Sequence, residues 1–261
     1  MAAAAFAEFL PLAHAIADAA AAVQRRWFRT PFLIERKADL SPVTIADREA
    51  ETAMAELIRR HHPDHGILGE EHGTTGRDAE FLWCLDPIDG TKSFVCGRPM
   101  FGTLIALLHQ GRPVLGIIDQ SILRERWVGL QGGSTTLNGT PIRVRDCAGL
   151  DEAVLFATSP QMFTRPGEAE AFRRVESTVR LTLFGGDCYG YGLLAAGFAD
   201  LAVEAGLQTY DFMALIPVIE GAGGRLTDWQ GRALGLDSAG QVIAAGDARA
   251  HEAALRRLDL S

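Results

Sequence analysis

An α/β protein of two lobes is predicted for this 261-residue chain, with an α+β lobe over residues 1–148 and an α/β lobe over residues 149–261. Three observations carry that prediction. Two helix-like segments open the chain, short apolar runs at residues 103–108, 114–119 and 126–130 follow one another across polar turns, and strand-like and helix-like segments alternate after Gly149.

Residues 3–28 are dominated by alanine and other apolar residues and read as a helix closed by Pro31. A second helix is expected from Thr44 to about Arg60, with Ser41 and Thr44 as caps and Ile45, Met54, Leu57 and Ile58 as its apolar stripe. The short segment 66–69 reads as a strand that delivers the chain to Glu70-Glu71-His72-Gly73. Residues 81–85 are a compact apolar run that suits a buried strand, and the three runs after it form an antiparallel meander. In the second lobe, strands are expected at 153–157, 179–184, 201–204, 226–228 and 242–244. Helices are expected at about 167–177, 188–197, 211–222 and 247–258.

Composition narrows the function. With 25 Lys plus Arg against 33 Asp plus Glu, the formal charge is -8, and the arginine pairs are short and scattered, which argues against a nucleic-acid binder. The Ala-rich start is interrupted by Glu8, His14 and Asp18 and lacks a basic leader, so it reads as an uncleaved helix. No run approaches the ~18 apolar residues that cross a bilayer. Cys84, Cys96, Cys147 and Cys188 are dispersed, which suits free thiols in a reducing cytoplasm. His61-His62-x-x-His65 reads as wet histidines at a helix end rather than as metal ligands.

The chemistry concentrates in Leu85-Asp86-Pro87-Ile88-Asp89-Gly90-Thr91-Lys92-Ser93-Phe94, at the C-terminal end of an apolar strand. Two carboxylates three residues apart, with the Ile88 carbonyl between them, offer hard oxygen ligands to Mg²⁺. Gly90 permits close backbone approach, and amides around Gly90 and Thr91 can receive an anion. The same letters also make a plain turn, since Asp-Gly is a hairpin signal. Glu70 and Glu71 sit in a Gly-bounded turn just before this strand, and Asp211 precedes an apolar helix, where it reads as an N-cap with a free oxygen. Asp47 has the position of a first-turn carboxylate.

Taken together, Gly69-Glu70-Glu71, Asp86-Pro87-Ile88-Asp89-Gly90-Thr91, and Glu204 through Asp211 to Glu220-Gly221-Ala222-Gly223-Gly224 resemble the inositol monophosphatase family of Mg²⁺-dependent, lithium-sensitive phosphatases. The likeness runs in the family's order from Lys37 to at least Asp228. Thr91-Lys92-Ser93-Phe94, Phe101 to Ala106, Gly186-Asp187-Cys188-Tyr189 and Tyr210-Asp211-Phe212 are most similar to its histidinol-phosphate phosphatase branch.

That resemblance implies a layered αβαβα sandwich of the inositol monophosphatase and fructose-bisphosphatase type, and a homodimer acting on a small phosphorylated metabolite. It implies that Glu70, Asp86, the Ile88 carbonyl, Asp89 and Asp211 hold two or three Mg²⁺ ions, with Lys37 and Asp39 in a nearby mobile loop. Asp47 and Thr91 would orient and deprotonate the attacking water, helped by Glu70, and Gly90, Thr91 and Lys92 would meet the phosphate. Asp187, Glu204 and Asp211 would face the leaving group. Asp187 also reads as a cap for the helix after Gly185-Gly186.

Overall fold

The computed structural model describes residues 6–31, 34–36 and 42–260. Expectations resting on Lys37, Asp39 and Ser41 fall outside these residues. The layers stack as helix, sheet, helix, sheet, helix, as the resemblance implies.

The outer layer holds α1 (Leu10–Trp27) and α2 (Ile45–His61). Strands β1 (Ile34–Arg36) and β2 (Pro42–Thr44) pair antiparallel between them. Thr44 caps α2 in a capping box with Asp47: its hydroxyl accepts the Ala46 N–H and its own N–H reaches the Asp47 carboxylate.

The first sheet comprises β3 (Gly66–Gly69), β4 (Gly73–Thr75), β5 (Phe81–Asp89), β6 (Gly102–His109), β7 (Arg112–Gln120), β8 (Glu125–Leu130), β9 (Thr136–Leu137) and β10 (Thr140–Pro141). They lie in the order β10-β9-β8-β7-β6-β5-β3-β4. Only β3 and β5 run parallel, and β6, β7 and β8 form the expected meander. The short hairpin β9-β10 turns on Asn138-Gly139, both at positive φ (50° and 80°), the geometry that an Asn-Gly pair favours.

Side chains on these strands alternate between two cores. Trp83, Leu85, Ile105, Leu107 and Ile117 pack on Ile16, Ala20, Met54 and Ile58 of the outer helices. Leu82, Cys84, Leu104, Ala106 and Ile118 turn to the middle layer. With both faces covered, the strands are nearly continuous apolar runs.

A short helix α3 (Thr91–Val95) follows β5. The second sheet is β11 (Val154–Ala157), β12 (Leu181–Phe184), β13 (Leu201–Glu204), β14 (Arg225–Thr227) and β15 (Val242–Ala245), ordered β12-β11-β13-β15-β14. Its outer face carries α4 (Glu168–Glu176) and α8 (Ala248–Leu258). Between the sheets lie α5 (Asp187–Ala195), α6 (Thr209–Phe212) and α7 (Leu215–Gly221).

Two sequence expectations are corrected. The single helix over 211–222 is two helices, because Pro217 has no N–H and its ring clashes with the carbonyl four residues back. Restarting at Leu215 puts Pro217 in the first turn, where a proline fits. The strand expected over 81–85 continues to Asp89, so the carboxylate motif is part of β5 and contains a bulge. No helix among the described residues is long and apolar enough to cross a membrane.

Candidate active site

The end of β5 is irregular for a local reason. Asp86 pairs with Leu104 and Asp89 with Gly102, so three steps along β5 match two along β6 and one residue is extra. The Ile88 N–H folds back to donate to Asp86 Oδ1 at 2.9 Å. Asp86 and Asp89 thereby meet Asp211 from α6, and one oxygen of each lies within 4.8 Å of the others. Asp89 Oδ2 accepts the Cys188 N–H at 2.5 Å and Asp211 Oδ2 accepts the Gln208 N–H at 2.7 Å, so backbone amides of α5 and of the turn before α6 orient two of the three. Asp211 is not the expected N-cap. Gln208 holds that position, and Asp211 is the third residue of a capping box.

Burial and like charge oppose ionisation here. Burial is the first cause, and neighbouring carboxylates the second, that push Asp86 and Asp89 well above the ordinary range. Asp211 is raised to about 7, again chiefly by burial, with the charges of Glu70 and Glu204 adding to it. Three crowded carboxylates that resist ionisation fit a divalent cation with oxygen ligands, which would neutralise them together.

Glu70 is placed by a residue that sequence reasoning missed. Glu51, almost fully buried on α2, accepts the N–H groups of Glu71 at 2.7 Å and His72 at 2.8 Å. Its carboxylate fills the space where a Cβ on residue 69 would stand, so any larger residue there would have to push Glu51 off these two amides. The Glu70 N–H donates to the Leu85 carbonyl at 3.2 Å, drawing the turn alongside β5, and Glu70 adjoins Asp86 closely enough to share a hydrogen bond. Glu51→Ala is therefore expected to cost about 1–3 kcal/mol by leaving two amides unpaired. It should also lower the kcat/KM of whatever reaction this cleft supports roughly 10- to 100-fold by loosening Glu70. Thermal melts and steady-state assays check both effects.

Asp47 is buried, with Oδ2 accepting from the Thr44 N–H and hydroxyl at 2.8 and 2.6 Å. Its other oxygen faces the Thr91 hydroxyl at 3.4 Å, and that hydroxyl is 3.1 Å from the Ile88 carbonyl. Burial raises Asp47 to about 6, against the opposing pull of Thr44. Gly90 adopts φ 87°, where an added Cβ would stand 3.0 Å from the Asp187 carboxylate. Lys92 is exposed on α3, and burial raises Asp187 above its ordinary range against the opposing pull of Ser93, Thr158, Arg98 and Lys92.

Asp187 is not the cap expected of it. It is the first residue of α5 and lies at φ 44°, a left-handed conformation that aspartate tolerates better than most residues, while Ser93 donates to its Oδ2 at 3.2 Å. Glu204 ends β13, where its two oxygens accept the Thr158 N–H at 2.7 Å and the Tyr191 hydroxyl at 3.0 Å. Burial, reinforced by the Asp187 charge, raises Glu204 to about 7. Glu204 and Asp187 line a cavity of about 80 Å³ together with Asp89 and Asp211. The structure thus places Asp89, Asp187, Glu204 and Asp211 on one cavity, sets Asp86 and Glu70 beside them, and joins Asp47, Thr91 and the Ile88 carbonyl by hydrogen bonds at the same end of β5, with Gly90 against Asp187 and Lys92 exposed on α3.

Two other features compete for attention. His62, Asp64 and His65 lie close enough to share a metal, yet the Trp83 indole donates to His65 Nδ1 at 3.1 Å. In a neutral ring that leaves the proton on Nε2 and no lone pair there for a metal. His62 and His65 instead stack at 4.3 Å. A larger cavity, about 470 Å³, opens beside α1, but Arg126 on its wall is already paired with Asp119 at 2.6 Å and Asp18 at 2.7 Å.

Residues 6–260 match the family model described as "Inositol monophosphatase family". The chain is 50% identical over 260 residues to the "Bifunctional phosphatase IMPL2, chloroplastic" of Arabidopsis thaliana, covering 96% of this chain and 75% of that protein. It is 38% identical over 228 residues to a histidinol-phosphatase of Mycobacterium tuberculosis, covering 85% and 88% of the two chains. Among solved structures, an inositol monophosphatase from Zymomonas mobilis superposes with a TM-score of 0.89 at 51% identity, covering 97% and 98% of the two chains.

Proposed function

Because the chain belongs to the inositol monophosphatase family, whose phosphatases act on phosphoric monoesters, we propose that it hydrolyses histidinol phosphate to histidinol and phosphate with Mg²⁺ as cofactor. The observation that carries this reading is the pair of carboxylates, Asp187 and Glu204, lining the cavity beside the metal-type cluster. Histidinol presents an amine and an imidazole, both able to carry positive charge, and charge-assisted hydrogen bonds to carboxylates suit such a leaving group. An inositol ring offers only hydroxyls. The name of the Mycobacterium tuberculosis relative points the same way.

In this reading Glu70, Asp86, the Ile88 carbonyl, Asp89 and Asp211 hold two or three Mg²⁺ ions. When bound, the metal supplies Lewis acidity toward the phosphoryl oxygens and lowers the pKa of water. Thr91 orients the attacking water through its hydroxyl, and Asp47, raised to about 6, takes the proton that the water gives up. The new bond forms from the water oxygen to phosphorus as the phosphorus–ester oxygen bond breaks on the opposite side, the leaving oxygen takes a proton from solvent, and Asp47 returns its proton to solvent. Gly90, Thr91 and Lys92 border the phosphate, while Asp187, Glu204 and Asp211 face the departing alcohol. The same reading has the enzyme as a homodimer in a reducing cytoplasm, and the four free thiols support that compartment.

A second reading, an inositol monophosphatase, is favoured by the 51% identical Zymomonas mobilis structure. A substrate panel separates the two. Purified protein with Mg²⁺ should hydrolyse histidinol phosphate with kcat/KM at least about tenfold above inositol phosphate, fructose bisphosphate or adenosine bisphosphate. Glu204→Gln should cost roughly 2 kcal/mol on histidinol phosphate and little on a simple aryl phosphate. Preference for inositol phosphate would overturn the first reading in favour of the second.

A further inference from the structure

We propose that Gln24, in the first helix, is a positioning residue for the metal-binding end of β5, acting through the Pro87 carbonyl. The proposal rests on the reading that Asp86, the Ile88 carbonyl and Asp89 hold Mg²⁺. In the bulge between Asp86 and Asp89, Pro87 has no N–H to offer and its carbonyl leaves the ladder with β6. A buried carbonyl must find a donor elsewhere. Gln24 Nε2 supplies it across 63 residues of sequence at 2.7 Å, and the same nitrogen donates to Thr103 Oγ1 at 2.6 Å. The Thr103 hydroxyl in turn donates to the Pro87 carbonyl at 3.1 Å. Gln24 and Thr103 are both fully buried.

The placement of this amide is not one that packing alone would choose. Ala13, Ile16, Ala17, Ala20 and Ala21 are the other buried residues on α1 up to this point past Leu12, and Gln24 is the one polar member of that face. Its Oε1 is buried with no hydrogen-bond partner among the described residues, and reversing the amide would set that oxygen against the Pro87 carbonyl. Here Nε2 fixes the peptide plane between Pro87 and Ile88, while Asp86 Oδ1 fixes its far side through the Ile88 N–H. That plane anchors the backbone on the N-terminal side of the Ile88 carbonyl, midway between Asp86 and Asp89, while the Thr91 hydroxyl holds the carbonyl itself at 3.1 Å. Gln24 touches no reacting atom, so its influence is on metal binding and is indirect.

The test measures Mg²⁺ binding by calorimetry on metal-free protein, without substrate, alongside thermal melts. Gln24→Met keeps the bulk and removes the donor. It should melt at or above the wild-type temperature, yet bind Mg²⁺ about 10- to 100-fold more weakly, the range seen when partners of metal ligands are removed. Thr103→Val, a milder variant that serves if Gln24→Met does not fold, should shift affinity in the same direction, with Thr103→Ser restoring it. A folded Gln24→Met or Thr103→Val protein with wild-type Mg²⁺ affinity overturns the proposal. Asp86→Asn is the control. If wild type and Asp86→Asn bind Mg²⁺ alike, the metal-site reading itself falls. If only Asp86→Asn loses binding while the Gln24 and Thr103 variants keep it, the positioning role alone falls.

Discussion

Asp86→Asn should reduce kcat/KM for the phosphate ester at least about a thousand-fold, roughly 4 kcal/mol of transition-state stabilisation, while raising the melting temperature of the metal-free protein. The opposite signs are the informative part. Asparagine keeps an Oδ1 acceptor for the Ile88 N–H, so the bulge retains its internal hydrogen bond. What disappears is one buried ionisable carboxyl, which burial first and the charges of Glu70, Asp89 and Asp211 next push well above its ordinary range. Removing it relieves repulsion in the absence of metal and removes a ligand in its presence. Assays and melts on the same preparation read both effects. A variant that loses activity and stability together would indicate a merely structural carboxylate.

The second large effect is on stability against pH. Asp211 and Glu204 have folded-state values of about 7 and Asp47 about 6, all raised above their ordinary values mainly by burial. An acid whose pKa is raised on folding holds its proton more tightly in the native state, so stability is lost as pH rises through the folded value. For Asp211 alone, the change from 3.8 to about 7 corresponds to something on the order of 4 kcal/mol. The partly buried histidines His14, His65 and His251, whose values are lowered by burial, act in the opposite sense below about 6.5. These carboxyls should therefore cost the metal-free protein melting temperature between about pH 4, where they ionise in the unfolded chain, and about pH 7, where they ionise in the folded one, with the histidines offsetting part of it, and saturating Mg²⁺ should suppress that loss by neutralising the ionised cluster. A metal-free melting temperature that holds or rises across this interval would contradict the electrostatic account of the site.

Much of this was legible in the sequence because it is local. The Asp86 to Thr91 segment carries its own geometry: a proline without an N–H, a carboxylate that caps the amide two residues on, and a glycine at positive φ. The capping box of Thr44 and Asp47 spans three residues, and the meander shows in its apolar runs and turns. Where the reading of elements went wrong, the signal was present and underused: Pro217 broke the helix expected over 211–222, and Asn138-Gly139 marked a hairpin.

The sequence by itself determined the α/β class, the Thr44 cap, the carboxylate motif of residues 86–91 and the family likeness, since each is written in residues close enough along the chain to constrain one another directly. Only the tertiary structure decided which distant residues complete the cleft. Gln24 reaches the motif across 63 residues and Cys188 across 99, while Glu51 reaches the turn behind Glu70 across 20. The physical reason is that such contacts depend on sheet register and on how two helical layers settle against both faces of a sheet. No short-range pattern records that Glu51 fills the space beside Gly69, or that a buried glutamine on the first helix donates to a proline carbonyl at the end of a central strand.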